Sequence, residues 1–298
     1  MLSLLVPGGH GQLGRELAAR AEVVRAPGSA ELDVTNAGAV VEAVKSLASA
    51  AEADGSSPVV VNAAAYNAVD AAETDADRAF AVNADGPRLL AAACAAANVP
   101  LVHVSTDYVF PGDADRPYET TDLVRPRTAY GTTKAAGEVA VLGSGARAWV
   151  VRTAWVYGAH GANFVKTMAR LAASRDTLSV VDDQRGCPTW TGDLANGLLE
   201  LASAVVAGTA PEARLLHCTG GGDTTWCGFA RAVFEELGLD PSRVTPCTTE
   251  DFPRPAPRPA YSVLSDRSWR EAGLTPMRPW REALAAAFAE HGDHFRNP

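Results

Sequence analysis

Short, continuously apolar runs alternate with longer alanine-rich stretches of helical spacing through the first half of this chain, and that alternation limits its fold more than any other feature. Leu2–Pro7, Val23–Ala26, Val59–Ala65, Pro100–Ser105 and Trp149–Thr153 read as strands. Gly11–Ala21, Asp33 to about Ala53, Ala76–Asn98 and Thr132–Leu142 read as helices. Strands that are apolar on successive residues are buried on both faces, and strands separated by helices pair in parallel. The expectation is an α/β fold with a doubly wound parallel sheet. Val40, Val41, Val44 and Leu47 recur at helical spacing in the second helix, and Asp33 reads as its acidic cap.

The second half is less regular. Asn163–Ser174, Asp193–Val206, Trp226–Leu237 and Arg281–His291 read as helices, and Phe252–Pro259, with four prolines, reads as an extended loop. The 298 residues, 47% of them hydrophobic, suffice for one large or two moderate domains. A net charge of −9 argues against broad nucleic-acid binding, which needs a basic footprint. No apolar run approaches the ~20 residues of a membrane span, and no basic segment precedes the first apolar run as in a secretory signal. Five scattered cysteines form no C-x-x-C pair, which predicts reduced thiols, no structural zinc and a cytoplasmic protein.

Gly8-Gly9-His10-Gly11-Gln12-Leu13-Gly14 links the first strand to the first helix. Glycines at 8, 11 and 14 let backbone N–H groups approach a pyrophosphate at a helix N-terminus, so the turn predicts dinucleotide binding in a Rossmann-type fold. The second strand ends Val24-Arg25-Ala26-Pro27, without the acid that reads a ribose in many NAD enzymes. Arg25 either meets a 2′-phosphate, which favours NADPH over NADH, or is a solvated surface arginine. Asp33-Val34 either touches the adenosine or caps the helix.

Tyr130-x-x-x-Lys134 places a phenol and an ammonium on one helical face. The ammonium, with a cationic nicotinamide near it in the oxidised state, is expected to lower the tyrosine pKa, so that the phenol trades a proton with a carbonyl or alcohol oxygen. Val102–Phe110 ends a buried strand in the polar turn Ser105-Thr106-Asp107-Tyr108, where α/β ligands bind. Ser105 or Thr106 can bond the same substrate oxygen. Asp107 reads as a structural cap, His103 as a satisfied core histidine, and Tyr108 as a rival acid without its own lysine.

The glycine turn, Asn62-Ala63-Ala64-Ala65-Tyr66, Ser105–Phe110 and Tyr130-x-x-x-Lys134 resemble the extended short-chain dehydrogenase/reductase superfamily. Arg152–Tyr157, Asn163–Met168, Asp182-Asp183-Gln184-x-Gly186-x-Pro188-Thr189 and Arg254–Pro259 narrow the resemblance, over nearly the whole chain, to the dTDP-4-dehydrorhamnose reductase family. The resemblance implies NAD(P)H-dependent reduction of a nucleotide-sugar C4 ketone. It implies a Rossmann domain over residues 1–157, completed by later segments, and a smaller α/β sugar-nucleotide domain mainly over 158–298. Gly8, Gly11, Gln12, Leu13 and Gly14 are implied at the cofactor pyrophosphate, and Asp33, Val34, Ala65, Tyr66, Asn67 and Val104 along the rest of the cofactor. Thr106, Tyr130 and Lys134 are implied as the catalytic set, with Tyr130 and Lys134 also touching the cofactor. Thr106, Asp107 and Trp155 are implied at the substrate, and Asn163 lies in a matching segment; Arg258 is expected there because the proline-rich loop with Arg254 is the densest local source of cations for a diphosphate. From the residues alone, Trp155 reads as a core aromatic and Arg258 as either a diphosphate ligand or a solvated loop arginine.

Some members of the family bind magnesium through acids at a dimer interface. Glu16 is present here, but Gly192 stands where another acid is expected, and Asp193 is predicted to point elsewhere on its helix. No metal is therefore expected, and the chain is a monomer or a homodimer. The alternatives are a reductase or epimerase for another nucleotide deoxysugar, or a non-catalytic regulatory subunit of the same fold. The presence of Thr106, Tyr130 and Lys134 together argues against the last.

Overall fold

The structure is a computed structural model that describes residues 1–296. Its centre is a six-stranded parallel sheet of β1 (Leu2–Leu5), β2 (Val23–Arg25), β3 (Ser57–Asn62), β4 (Leu101–Thr106), β5 (Ala148–Thr153) and β10 (Leu215–His217), in the order β10-β5-β4-β3-β1-β2. The order reverses beside β1, so the turn after β1 lies at the switch point where parallel sheets open a crevice.

Successive strand residues feed opposite layers, which is why the inner strands carry runs of adjacent apolar residues. Leu4, Val59, Val61, Val102 and Val151 pack with α1 (Gln12–Arg20) and α8 (Thr191–Ala207). Leu5, Val60, Leu101 and Val150 pack with α2 (Ala37–Asp54) and α5 (Gly86–Ala97). α6 (Ala129–Leu142) lies against β4 and β5. Both β10 and α8 come from the second half of the sequence, so the sheet layer is completed by residues distant in the chain.

A separate core joins α7 (Phe164–Ser174), α9 (Trp226–Glu236) and α11 (Trp280–Arg296) around Phe229, Phe234, Leu284 and Phe295. Short strands complete this lobe: β6 (Val156–Tyr157) with β9 (Thr189–Trp190), β7 (Leu178–Val181) with β12 (Val244–Cys247), and β8 (Arg185–Gly186) with β11 (Thr224–Thr225). Short helices α3 (Val69–Ala72), α4 (Ala76–Phe80) and α10 (Arg267–Glu271) fill connections. Among the described residues, no helix is long and apolar enough to cross a membrane.

Three local expectations are corrected. Asp33 does not cap α2. Its carboxylate accepts from Thr35 N and Oγ1 in a turn of its own, and Asn36 caps the helix by accepting from Ala39 N at 3.1 Å. The helix over Ala76–Asn98 is interrupted by a π-turn at Ala81–Asp85. Pro87 has no N–H for the carbonyl of Asn83, and its ring crowds that carbonyl, so the helix widens one turn earlier. The helix expected from Thr132 begins at Ala129, because the Thr128 hydroxyl accepts from Gly131 N at 3.0 Å. Tyr130 thereby lies in the first turn of α6.

Candidate active site

The glycine turn is packed backbone against backbone. Gly8 has φ +82°, and a Cβ there would lie 2.6 Å from Ala64 N; one at Gly14 would lie 2.3 Å from Gly8 O. At Gly11 only Gly8 O comes near, at 3.2 Å, so that face stays open to a ligand. No side chain caps α1 at Gly11. The first-turn N–H groups, including those of Gln12 and Leu13, therefore fit an anionic pyrophosphate. These observations fit a dinucleotide cofactor.

Ala65, Tyr66 and Asn67 follow β3 beside this turn. Asn83, in the π-turn, fixes them: its Oδ1 accepts from Tyr66 N at 2.8 Å, and its Nδ2 donates to Tyr66 O at 3.1 Å and Thr133 Oγ1 at 3.1 Å. Arg25 is exposed at the end of β2. Asp33 is also exposed, whereas the Val34 side chain is buried against Gly86.

At the C-terminal end of β4, Thr106, Tyr130 and Lys134 converge. Lys134 is 2% exposed and donates from Nζ to Val104 O at 2.7 Å. Burial pushes its pKa down to about 8, while Glu138 pulls it up. The ammonium by itself does not lower the Tyr130 pKa. Burial dominates and raises it, with the Thr106 hydroxyl pulling down and Asp107 adding to the rise. Tyr130 is therefore held as the neutral phenol, the form that donates a proton.

Thr106 Oγ1 donates to Asp107 Oδ1 at 2.9 Å and accepts from Tyr108 N at 3.2 Å, so Thr106 rather than Asp107 caps the turn. Asp107 is 3% exposed and its Oδ2 has no hydrogen-bond partner. Burial raises its pKa to about 6 against the pull of Ser262, Thr106 and backbone N–H groups. His103 is fully buried with Nδ1 3.0 Å from Asn62 Nδ2, and desolvation, then Lys134, holds it neutral. Its Nε2 is unpartnered, so it is only half satisfied. The Tyr108 ring meets Tyr130 edge to face, with centroids 5.5 Å apart.

A cleft of about 410 Å³ adjoins Tyr108. Phe164, Met168, Leu171 and Trp226 form an apolar wall, and Arg254 and Arg258 supply cations. Arg258 Nη2 lies 2.8 Å from Asp70 Oδ2, and Nη1 donates to Ala256 O at 2.8 Å. Arg258 is thus an ordered, ion-paired group rather than a solvated one. Trp155 has φ +47° and stacks on Trp226 with centroids 3.4 Å apart. Its ring also presses on Gly186, where a Cβ would lie 2.4 Å away. Asn163 caps α7 through Lys166 N, and its Nδ2 donates to Gln12 Oε1 at 3.0 Å and to Gly158 O at 2.8 Å. It ties the glycine turn to the smaller lobe.

Glu16, Glu290 and His291 gather as potential metal ligands. Arg20 already lies among them, 3.2 Å from Glu16 and 2.7 Å from Glu290. A Cβ on Gly192 would stand 2.8 Å from Arg20 Nη2, so the absent side chain makes room for this internal cation. The cluster does not fit a divalent ion while the guanidinium holds its carboxylates. Asp193 points to Arg278, at 2.9 Å.

Sequence reasoning missed Asn83, Asp70, Glu138 and Trp226. Pro87 inside a helical run signals the π-turn that presents Asn83, and the four-residue step from Tyr130 through Lys134 leads to Glu138. Nothing local marks Asp70 or Trp226.

The family profile of the RmlD substrate binding domain matches residues 2–292. A dTDP-4-dehydrorhamnose reductase of Streptomyces griseus is 50% identical over 292 residues, covering 95% of this chain and 92% of its own length. A dTDP-4-keto-6-deoxy-D-glucose reductase of Streptomyces niveus is 42% identical over 293 residues, covering 95% and 96% respectively. The crystal structure of a dTDP-4-dehydrorhamnose reductase from Bacillus anthracis in complex with NADP is similar with a TM-score of 0.89 at 34% identity, covering 97% of this chain and 99% of that one. With this match along nearly its whole length, the chain belongs to the RmlD family, the dTDP-4-dehydrorhamnose reductases of the extended short-chain dehydrogenase/reductase superfamily.

Proposed function

We infer that this protein reduces the C4 ketone of dTDP-4-dehydrorhamnose to give dTDP-rhamnose, using NAD(P)H. The observation that carries the reading is the convergence of Thr106, Tyr130 and Lys134 at the same carboxyl edge of the sheet as an open glycine turn, in a chain of this family. Gly8, Gly11, Gln12, Leu13 and Gly14 hold the pyrophosphate; Asp33, Val34, Ala65, Tyr66, Asn67 and Val104 line the remainder. When bound, NADPH supplies the hydride for the sugar C4 carbon. Lys134 holds the nicotinamide ribose, and its ammonium stabilises the phenolate left on Tyr130. The neutral Tyr130 phenol donates its proton to the ketone oxygen, a contribution of ~10²–10⁴ in rate. The Thr106 hydroxyl turns from Asp107 to that oxygen and orients it. Asp107 is then free to accept from a sugar hydroxyl.

The nucleotide lies in the cleft beside Tyr108. Arg258 exchanges Asp70 for a substrate phosphate, since a guanidinium fork suits a diphosphate. Trp155 closes on the sugar, Asn163 braces the entrance against Gln12, and residues 158–298 supply most of this site. The protein works in the cytoplasm as a monomer or homodimer.

A second reading is supported by the Streptomyces niveus relative, whose name gives a different dTDP-keto sugar. NADPH oxidation with dTDP-4-keto-L-rhamnose, with the product identified by NMR, tests the first reading. Turnover confined to dTDP-4-keto-6-deoxy-D-glucose would establish the second.

A further inference from the structure

Tyr130, Lys134 and Glu138 stand at four-residue steps on the buried face of α6. They meet three consecutive residues of β4. Lys134 bonds Val104 O, Glu138 accepts from Ser105 Oγ at 2.6 Å, and Tyr130 interacts with the Thr106 hydroxyl. Glu138 is 4% exposed, and its carboxylate is also held by Arg152 on β5, whose Nε donates to Oε1 at 2.8 Å and Nη2 to Oε2 at 2.6 Å. Ser105 and Arg152 are register partners across β4 and β5. One carboxylate thus pins α6 to two strands, one residue before Thr106.

Among the described residues, Glu138 is the only acid that α6 itself carries. Acids on the other elements packed against α6 are engaged elsewhere: Asp70 of α3 pairs with Arg258, Glu73 accepts from Ala129 N at the start of α6, Asp75 before α4 accepts from the Tyr66 hydroxyl, and Asp85 of the π-turn pairs with Arg88. His103, facing Lys134 from β4, is neutral; Arg152 on β5 is turned to Glu138; Asp107, in the turn after β4, is bonded to Thr106. A buried ammonium with one carbonyl partner stays protonated more readily with an anion one helical turn away, even one that Arg152 also holds.

We propose that Glu138 is a positioning residue of the Tyr130–Lys134 pair, setting the register of α6 on β4 and keeping Lys134 protonated in the working pH range. This rests on the functional reading above, in which the charged lysine holds ribose and supports Tyr130. Loss of the Glu138 anion lets burial lower the Lys134 pKa further, the direction opposite to the pull Glu138 now exerts.

The test compares wild type with Glu138→Gln, Glu138→Asp and the double variant Glu138→Gln/Arg152→Gln. The double variant leaves no buried arginine without its partner and covers the case in which Glu138→Gln does not fold. Two readouts are followed against pH: kcat/KM with the nucleotide sugar, and NADPH affinity by fluorescence. Activity falls as pH rises through the lysine pKa. In Glu138→Gln that alkaline limb is expected to move down by about one pH unit, the lower end of what a nearby opposite charge produces; in the double variant, which also removes the Arg152 cation, it moves in the same direction by less. In Glu138→Asp, which keeps the charge and shortens its reach, the limb stays while kcat falls. A uniform loss of activity with the limb unmoved in both neutral variants overturns the proposal and leaves Glu138 a purely structural tie. Wild-type protein that never turns over the sugar refutes the functional reading instead, and the pH dependence of NADPH affinity then still decides the proposal.

Discussion

Replacing Asp107 by asparagine should make the protein more stable and less active. The carboxylate is 3% exposed, and one of its oxygens has no partner. Its pKa is raised from 3.8 to about 6, chiefly by desolvation. A raised acid pKa means that the folded state binds the proton more tightly than the unfolded one. The resulting penalty is absent below the unfolded pKa and complete above the folded one. Two units correspond to about 3 kcal/mol at pH 8, and about half of that remains at pH 5. An amide of the same shape keeps the bond from Thr106 and removes the buried charge; its N–H groups replace the unpartnered Oδ2, a pH-independent cost that lowers the gap at both pH values equally. With an unfolding entropy of about 2.1 cal/mol/K per residue over 298 residues, removal of the charge should raise the melting temperature of Asp107→Asn over wild type by roughly 5 °C at pH 8. By pH 5 this contribution should be about half as large. Calorimetry of the two ligand-free proteins at both pH values measures this. A gap that does not shift in the variant's favour between pH 5 and pH 8 would falsify the assignment of a buried charge at Asp107. Turnover of the variant should fall, because a group kept ionised against its surroundings is retained for the ligand rather than for the fold.

Other outcomes follow from the same geometry. Tyr130→Phe keeps the ring and should bind NADPH normally while losing ~10²-fold or more in kcat; purified variant with near-wild-type turnover would remove Tyr130 as the proton donor. Arg258→Ala should raise KM for the nucleotide sugar by roughly tenfold or more, as for a lost charge-assisted bond of ~1.5–3 kcal/mol, with NADPH affinity little changed. Equal losses for both ligands would place Arg258 elsewhere. NADPH should serve at least as well as NADH, given the exposed Arg25 at an acid-free strand tip; a more than tenfold advantage in kcat/KM for NADH contradicts this. Activity and mass by light scattering should survive EDTA, since Arg20 answers the charge of Glu16 and Glu290. Activity lost on chelation and restored by magnesium alone would show that the cluster binds a metal after all.

The inner strands β1, β3, β4 and β5 were legible because both of their faces are buried, so successive residues carry the signal; the edge strand β2 is only half-buried and ends in exposed Arg25. The helix starts were less so. Asn36 and Thr128 cap their helices through side-chain geometry that a short polar residue anywhere nearby can supply, and Asp33 was an equally plausible candidate by residue type. β10 is three residues long and joins the sheet only through its pairing with β5, so its local pattern carries little information. At the candidate site, the residues of the glycine turn and the Tyr130–Lys134 spacing were readable, since both are set by a few covalently neighbouring positions.

What the sequence by itself determined is therefore the part of this protein written in local order: the alternation that makes a parallel sheet, the glycine turn at its switch point, the four-residue step of Tyr130 and Lys134, and with them the family. Tertiary structure alone decided the state of those groups. Tyr130 is held protonated, and Lys134 is brought to about 8, by burial under elements from across the chain. Arg258 is claimed by Asp70, and Trp155 by Trp226, through contacts between residues far apart in sequence. Spacing along a chain fixes which side chains share a face. Desolvation and pairing depend on what packs against that face, and no local pattern contains it.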